Sequence, residues 1–173
     1  MVNGVVLRET APAVTPAQIY STGTIVGSDN AEIFFDKLLD YQQFNHLRNF
    51  WIGDRFINIE SGPPAATQIG PDWWSADWYF DLPPGTDASG HTFFIRNRWT
   101  NQSLNVQDGV LGTTAQPGFW NASEWVFEPI DGANLYRIRN ALVTDWCLNI
   151  QNGTLAASPV QPGWWSAYWS VER

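Results

Sequence analysis

Residues suited to holding a ligand recur along this sequence at matched spacings. Three aromatic pairs, Trp73-Trp74, Phe119-Trp120 and Trp164-Trp165, each begin two residues after a proline. Three asparagines, Asn58, Asn105 and Asn149, each sit between aliphatic residues and are followed two positions later by Glu60, Gln107 and Gln151. An indole or phenyl face offers flat apolar area, with a polar handle at the indole edge. A carboxamide offers two donors and an acceptor at one point. Together they suit recognition by stacking and hydrogen bonding. Within each aromatic pair the second position is always Trp, which predicts a core role. The first varies between Trp and Phe, which predicts surface.

Bond-making chemistry finds little support. His46 and His91 are far apart in sequence and have no metal-ligand spacing. Cys147 opens an alternating strand, which predicts a buried, inert thiol. No glycine-rich phosphate loop and no Gly-x-Ser-x-Gly elbow occurs. The expectation is a non-enzymatic protein with no cofactor and no metal.

The candidate residues belong to a threefold internal repeat. Ile57-Asn58-Ile59-Glu60 recurs as Leu104-Asn105-Val106-Gln107 and as Leu148-Asn149-Ile150-Gln151. A tryptophan follows each Asn at the same interval, at Trp78, Trp125 and Trp169. An aliphatic-Arg-Asn triplet precedes each: Leu47-Arg48-Asn49, Ile95-Arg96-Asn97 and Ile138-Arg139-Asn140. Its arginines suit a structural role, bonding turn carbonyls or an acidic residue. The apolar–polar alternation and the turn glycines predict about four short strands per repeat. One such unit cannot bury its own apolar face, but three can close into a barrel about a pseudo-threefold axis. The predicted fold is all-β, a β-trefoil over residues 43–173 with repeats at about 43–90, 91–133 and 134–173. Residues 1–42 form an N-terminal extension, with a strand predicted over Ile19–Val26 and a short helix after Asn30. That extension would cover apolar surface of the barrel or join copies into a homo-oligomer.

Composition narrows the partners. Among 173 residues there are 9 Lys and Arg against 17 Asp and Glu, a formal charge of -8. Such a chain lacks the basic footprint for nucleic acid and the polybasic patch for anionic membranes. No apolar run is long enough to span a membrane, so no membrane insertion is expected. One cysteine permits no internal disulfide, and the N-terminus shows no signal-peptide pattern. The expected location is cytoplasmic, or outside the cell by a route without a recognisable signal. Sequons at Asn101, Asn121 and Asn152 are then incidental.

The triplicate pattern resembles the ricin B-type lectins, β-trefoils that carry a Cys-Leu-Asp-type strand and a Gln-x-Trp motif in each repeat. Cys147-Leu148-Asn149 resembles the first motif, and Trp78, Trp125 and Trp169 match the tryptophan of the second. The resemblance covers roughly residues 44–173 and implies a carbohydrate-binding protein with up to three shallow glycan sites. Two departures stand out. Asn58, Asn105 and Asn149 replace the family's sugar-binding Asp, and Ala76, Ser123 and Ala167 replace its Gln. The aromatic pairs would then supply the stacking face for a pyranose, with Asn58, Asn105, Asn149, Gln107 and Gln151 supplying hydrogen bonds. A purely structural role for the three asparagines, satisfying turn backbone, stands equally open. Two other functions fit the same barrel. One is a protease inhibitor acting through the longer loop at Asp81–Gly90, and the other is a targeting subunit of a larger assembly.

Overall fold

The structure is a computed structural model that describes residues 43–86, 91–115, 121–130 and 134–173. The predicted strand and helix of the N-terminal extension lie outside these residues, as do Phe119 and Trp120. Every regular element among the described residues is a β-strand or a 3-10 turn.

Each repeat contributes four strands. The first supplies β1 (His46–Asn49), β2 (Phe56–Asn58), β3 (Ala65–Thr67) and β4 (Trp78–Asp81). The second supplies β5 (Thr92–Asn97), β6 (Ser103–Gln107), β7 (Val110–Thr114) and β8 (Glu124–Pro129). The third supplies β9 (Leu135–Asn140), β10 (Trp146–Asn149), β11 (Ala156–Pro159) and β12 (Tyr168–Glu172). First and fourth strands alternate around a closed barrel, in which β4 pairs with β5, β8 with β9, and β12 with β1. Within repeats, β5 pairs with β8 and β9 with β12, while Asn45 bridges to Trp78 in the first. The remaining strands form three hairpins, β2–β3, β6–β7 and β10–β11. This is a β-trefoil, and closure leaves the barrel without a free edge.

Alternation explains the core. Along β4, Trp78 and Phe80 point inward while Tyr79 and Asp81 lie nearer solvent; β8 and β12 repeat the pattern. Trp78, Trp125 and Trp169 are fully buried. Each indole N–H donates to the carbonyl of the residue before the repeated asparagine, Ile57, Leu104 and Leu148, at 2.8, 2.9 and 2.8 Å. A buried Trp thus satisfies its polar handle in the same way three times. Phe80, Phe93 and Phe127 meet edge-to-face at the centre, with centroids 5.2–6.4 Å apart.

The triplet asparagines lock the repeats together. Asn97 donates to Ser75 and Asp77 of the preceding repeat, and Asn140 to Ala122 and Glu124. Asn49 closes the ring by donating to Ser166 and Tyr168 of the third repeat. Each Oδ1 accepts the two backbone N–H groups that follow in its own turn, as from Trp51 and Ile52 to Asn49. The triplet arginines pair with acids: Arg48 with Glu172, Arg96 with Asp81 and Arg139 with Glu128.

Candidate ligand-binding surface

The tetrad asparagines are buried, at 1–2% exposure. Each Nδ2 donates to the carbonyl two residues back, Phe56, Ser103 or Cys147, at 3.0, 3.2 and 3.0 Å. It also reaches across the hairpin to the hydroxyl of Thr67, Thr114 or Ser158. The Oδ1 of Asn58 and Asn149 accepts the N–H of Glu60 and Gln151. Both N–H donors of each carboxamide are therefore committed to the hairpin. Of the two roles left open for Asn58, Asn105 and Asn149, the geometry matches the structural one. Gln151 is exposed and accepts from the Ser166 hydroxyl at 2.6 Å, as Glu60 does from Ser75. Gln107 is exposed, and the place of that serine is taken by Ala122.

The aromatic pairs divide in the opposite sense to the sequence expectation. Trp73 and Trp164 are partly buried, whereas Trp74 and Trp165 are 53% and 59% exposed. The 3-10 turn explains the reversal. Trp74–Ala76 and Trp165–Ala167 are single turns whose second and third residues are buried. With three residues per turn, the leading side chain faces away from them. Trp73 meanwhile lies against Gly70, where an added Cβ would come within 2.6 Å of its indole nitrogen.

A second correction concerns register. The matching turn of the second repeat is Asn121–Ser123, not a turn led by Trp120. Asn97 bonds Ser75 and Asp77 just as Asn140 bonds Ala122 and Glu124, which equates Ser75 with Ala122. Asn121, exposed, therefore stands where Trp74 and Trp165 stand in the other repeats. Trp120 precedes the core Trp125 by one residue more than Trp74 precedes Trp78 or Trp165 precedes Trp169.

Each of these turns faces the loop after the triplet asparagine of the next repeat. At the junction of repeats three and one, Phe50 meets Trp165 edge-to-face with centroids 5.7 Å apart, and Trp51 is exposed alongside in sequence. At the junction of repeats one and two, the Arg98 guanidinium lies 4.2 Å from the Trp74 ring centre and 4.4 Å from that of Phe44. Arg98 also meets Asp77 at 2.8 Å, and the second oxygen of Asp77 meets His46 at 2.9 Å. The Tyr79 hydroxyl donates to Asn101 nearby. At the junction of repeats two and three, the residues in these places are Asn121 and Ala141. Phe44, Phe50, Trp51, Asp77, Arg98 and the exposed Trp99 that follows it escaped the sequence reading. The signal available was position, since Phe50-Trp51 and Arg98-Trp99 directly follow the triplet asparagines.

Burial pushes the Cys147 thiol up to about 11, which keeps it protonated. Burial also raises the Asp81 carboxyl, with Arg96 opposing. Among the described residues no group of three or more His, Cys, Asp or Glu side chains is placed to hold a metal, and no helix could cross a membrane.

No protein-family model matches the sequence, and no curated protein does. Solved structures do. The designed threefold-symmetric protein ThreeFoil matches with a TM-score of 0.63 and 11% identity, over 75% of this chain and 98% of that one. A Polyporus squamosus lectin, solved with a human-type influenza-binding epitope, matches at 0.60 and 14% identity over 74% of this chain and 48% of its own. The GlcNAcα1-4Gal-releasing endo-β-galactosidase of Clostridium perfringens matches at 0.63 and 23% identity, over 75% of this chain. This chain spans about a third of that enzyme, 32% of its length. All three likenesses are under 25% identical and bear on the barrel alone: the fold of this chain is a β-trefoil.

Proposed function

We propose that this protein is a carbohydrate-binding lectin, related to the ricin B-type proteins, that holds glycans without transforming them. The observation that carries the reading is the pair of exposed tryptophans, Trp74 and Trp165. They lead equivalent turns in two repeats, and each is buttressed from the next repeat by Arg98 or Phe50. A large aromatic left half exposed at a symmetric position, and ordered from behind, is the surface a pyranose stacks on. The lectin among the structural neighbours supports the same class. Hydrogen bonds would come from the side chains around these turns rather than from Asn58, Asn105 and Asn149. With Asn121 in the third place, two aromatic platforms rather than three would serve, and paired weak sites gain from multivalency.

A glycan array of the full-length protein, displayed densely, tests this. Defined hits are expected, and the double variant Trp74→Ala/Trp165→Ala should lose them while keeping its fold. A blank array overturns the lectin reading. The partial coverage of the Clostridium enzyme favours a second use of the same sites, as the targeting part of a larger assembly. The extension at residues 1–42 would make that contact or join copies. Comparing the oligomeric state with and without those residues checks it.

A further inference from the structure

The two tryptophan platforms differ in what packs against them, and this bears on which sugars they would take. Arg98 is held on three sides, by the faces of Phe44 and Trp74 and by the Asp77 carboxylate. A guanidinium packed on two rings and paired with a carboxylate is restrained in place. It has five N–H donors, and the one side-chain hydrogen bond it makes to protein among the described residues is the 2.8 Å contact to Asp77. Arg48 and Arg139, by contrast, each add a backbone carbonyl, Gly53 or Asn140, to their acid. The Arg98 side chain is still 32% exposed. The Asp77 charge is meanwhile shared with the His46 ring at 2.9 Å.

We infer that the Trp74 junction takes an anionic saccharide, its pyranose at the rim of Trp74 that Arg98 leaves exposed and its acid group on the N–H groups of Arg98 that Asp77 leaves unbonded. The inference rests on the lectin reading and sharpens it. A restrained, planar, donor-rich group next to an exposed aromatic matches a carboxylate or sulfate on a sugar better than it matches a neutral hydroxyl. Asp77 opposes an incoming anion but is already bonded on both oxygens. The wider negative charge of the chain is screened beyond about 8 Å at physiological salt. The Trp165 platform is backed by Phe50, a neutral ring, so it should take a sugar and its acid analogue alike.

The test follows the indole N–H resonances of isotope-labelled full-length protein. Trp74 and Trp165 are assigned through Trp74→Phe and Trp165→Phe. Methyl β-glucuronide, methyl β-glucoside and methyl β-glucoside 6-sulfate are titrated separately. The expected result is binding at Trp74 about tenfold tighter for the two acids than for the glucoside, with no such preference at Trp165. A preference for glucuronide over sulfate would identify a carboxylated sugar, and equal binding any anionic one. Arg98→Lys should cut the preference to a few-fold and Arg98→Gln should remove it, with spectra still dispersed as for a folded protein. Equal binding of acid and neutral sugar at Trp74, or a preference that survives Arg98→Gln, overturns the inference. If the neutral sugar moves Trp165 while no acid moves Trp74, the inference falls and the lectin reading stands. If no sugar moves either resonance, and the array is blank, both fall.

Discussion

Two sets of tryptophans four residues apart meet opposite fates in this molecule. Trp78, Trp125 and Trp169 are fully buried, each with its N–H on the carbonyl preceding a tetrad asparagine. Trp74 and Trp165 lie half or more in solvent, and their counterpart in the second repeat is Asn121. The buried set holds in all three repeats because barrel closure needs every wedge of the core filled. The exposed set can lose a member without cost to the fold. Symmetry kept without exception marks structure here, and symmetry broken marks a surface free to specialise.

The largest expected effect sits on the buried side of this comparison. Trp125→Ala should destabilise the protein by about 3–5 kcal/mol, through the cavity and the orphaned Leu104 carbonyl. Denaturant unfolding measures it, and a loss under 1 kcal/mol would break the assignment of that residue to the core. Next comes Asn58→Asp, which restores the acid found in the resembled family. Here it removes both donors and sets a carboxylate against the Phe56 carbonyl, so a loss of about 1–3 kcal/mol is expected, with no gain in glycan binding. Stronger glycan binding by that variant would return the tetrad position to the site. On the exposed side, Trp74→Ala or Trp165→Ala should cost only about 1 kcal/mol of stability, through the lost contact to Arg98 or Phe50, while weakening glycan binding about tenfold. Asn121→Trp should build a third platform, with stability unchanged to within about 0.5 kcal/mol, and raise avidity on a dense glycan surface. Avidity unchanged by that variant would argue that the backing residue, Ala141 there, matters more than the tryptophan. The smallest effect concerns Cys147, whose thiol is raised to about 11 by burial. The folded state holds that proton more tightly than the unfolded one. Its contribution to stability is therefore full below the ordinary thiol range and is lost as pH climbs towards 11. Alkylation of the native protein near pH 8 should be slow, and fast only after unfolding.

Much of the fold was legible because barrel strands carry their instructions locally. Alternation along Trp78-Tyr79-Phe80-Asp81 and the glycines at the ends of the tetrads specify strand and turn without long-range information. Gly62 and Gly153 do adopt positive φ, each donating to the carbonyl three residues back. The candidate site was less legible, for two physical reasons. Which member of an aromatic pair faces out depends on the phase of a three-residue turn, and pairing by residue type misses that phase. The extra residue between Trp120 and Trp125 shifted the phase by one and set Asn121 where a tryptophan was expected. The backing residues were hidden because they come from the neighbouring repeat. Nothing near Trp74 in sequence announces Arg98, since the contact exists only after β4 and β5 pair.

The asparagine locks between repeats have a kinetic consequence. Asn49, Asn97 and Asn140 each grip the previous repeat, and the Asn49 grip runs to Ser166, more than a hundred residues along the chain. A ring of three clasps has no first link to open, because releasing any one repeat must break two. Excursions that loosen a single lobe should therefore be rare. Amide protons in the three lobes should exchange through one shared opening rather than through three independent ones.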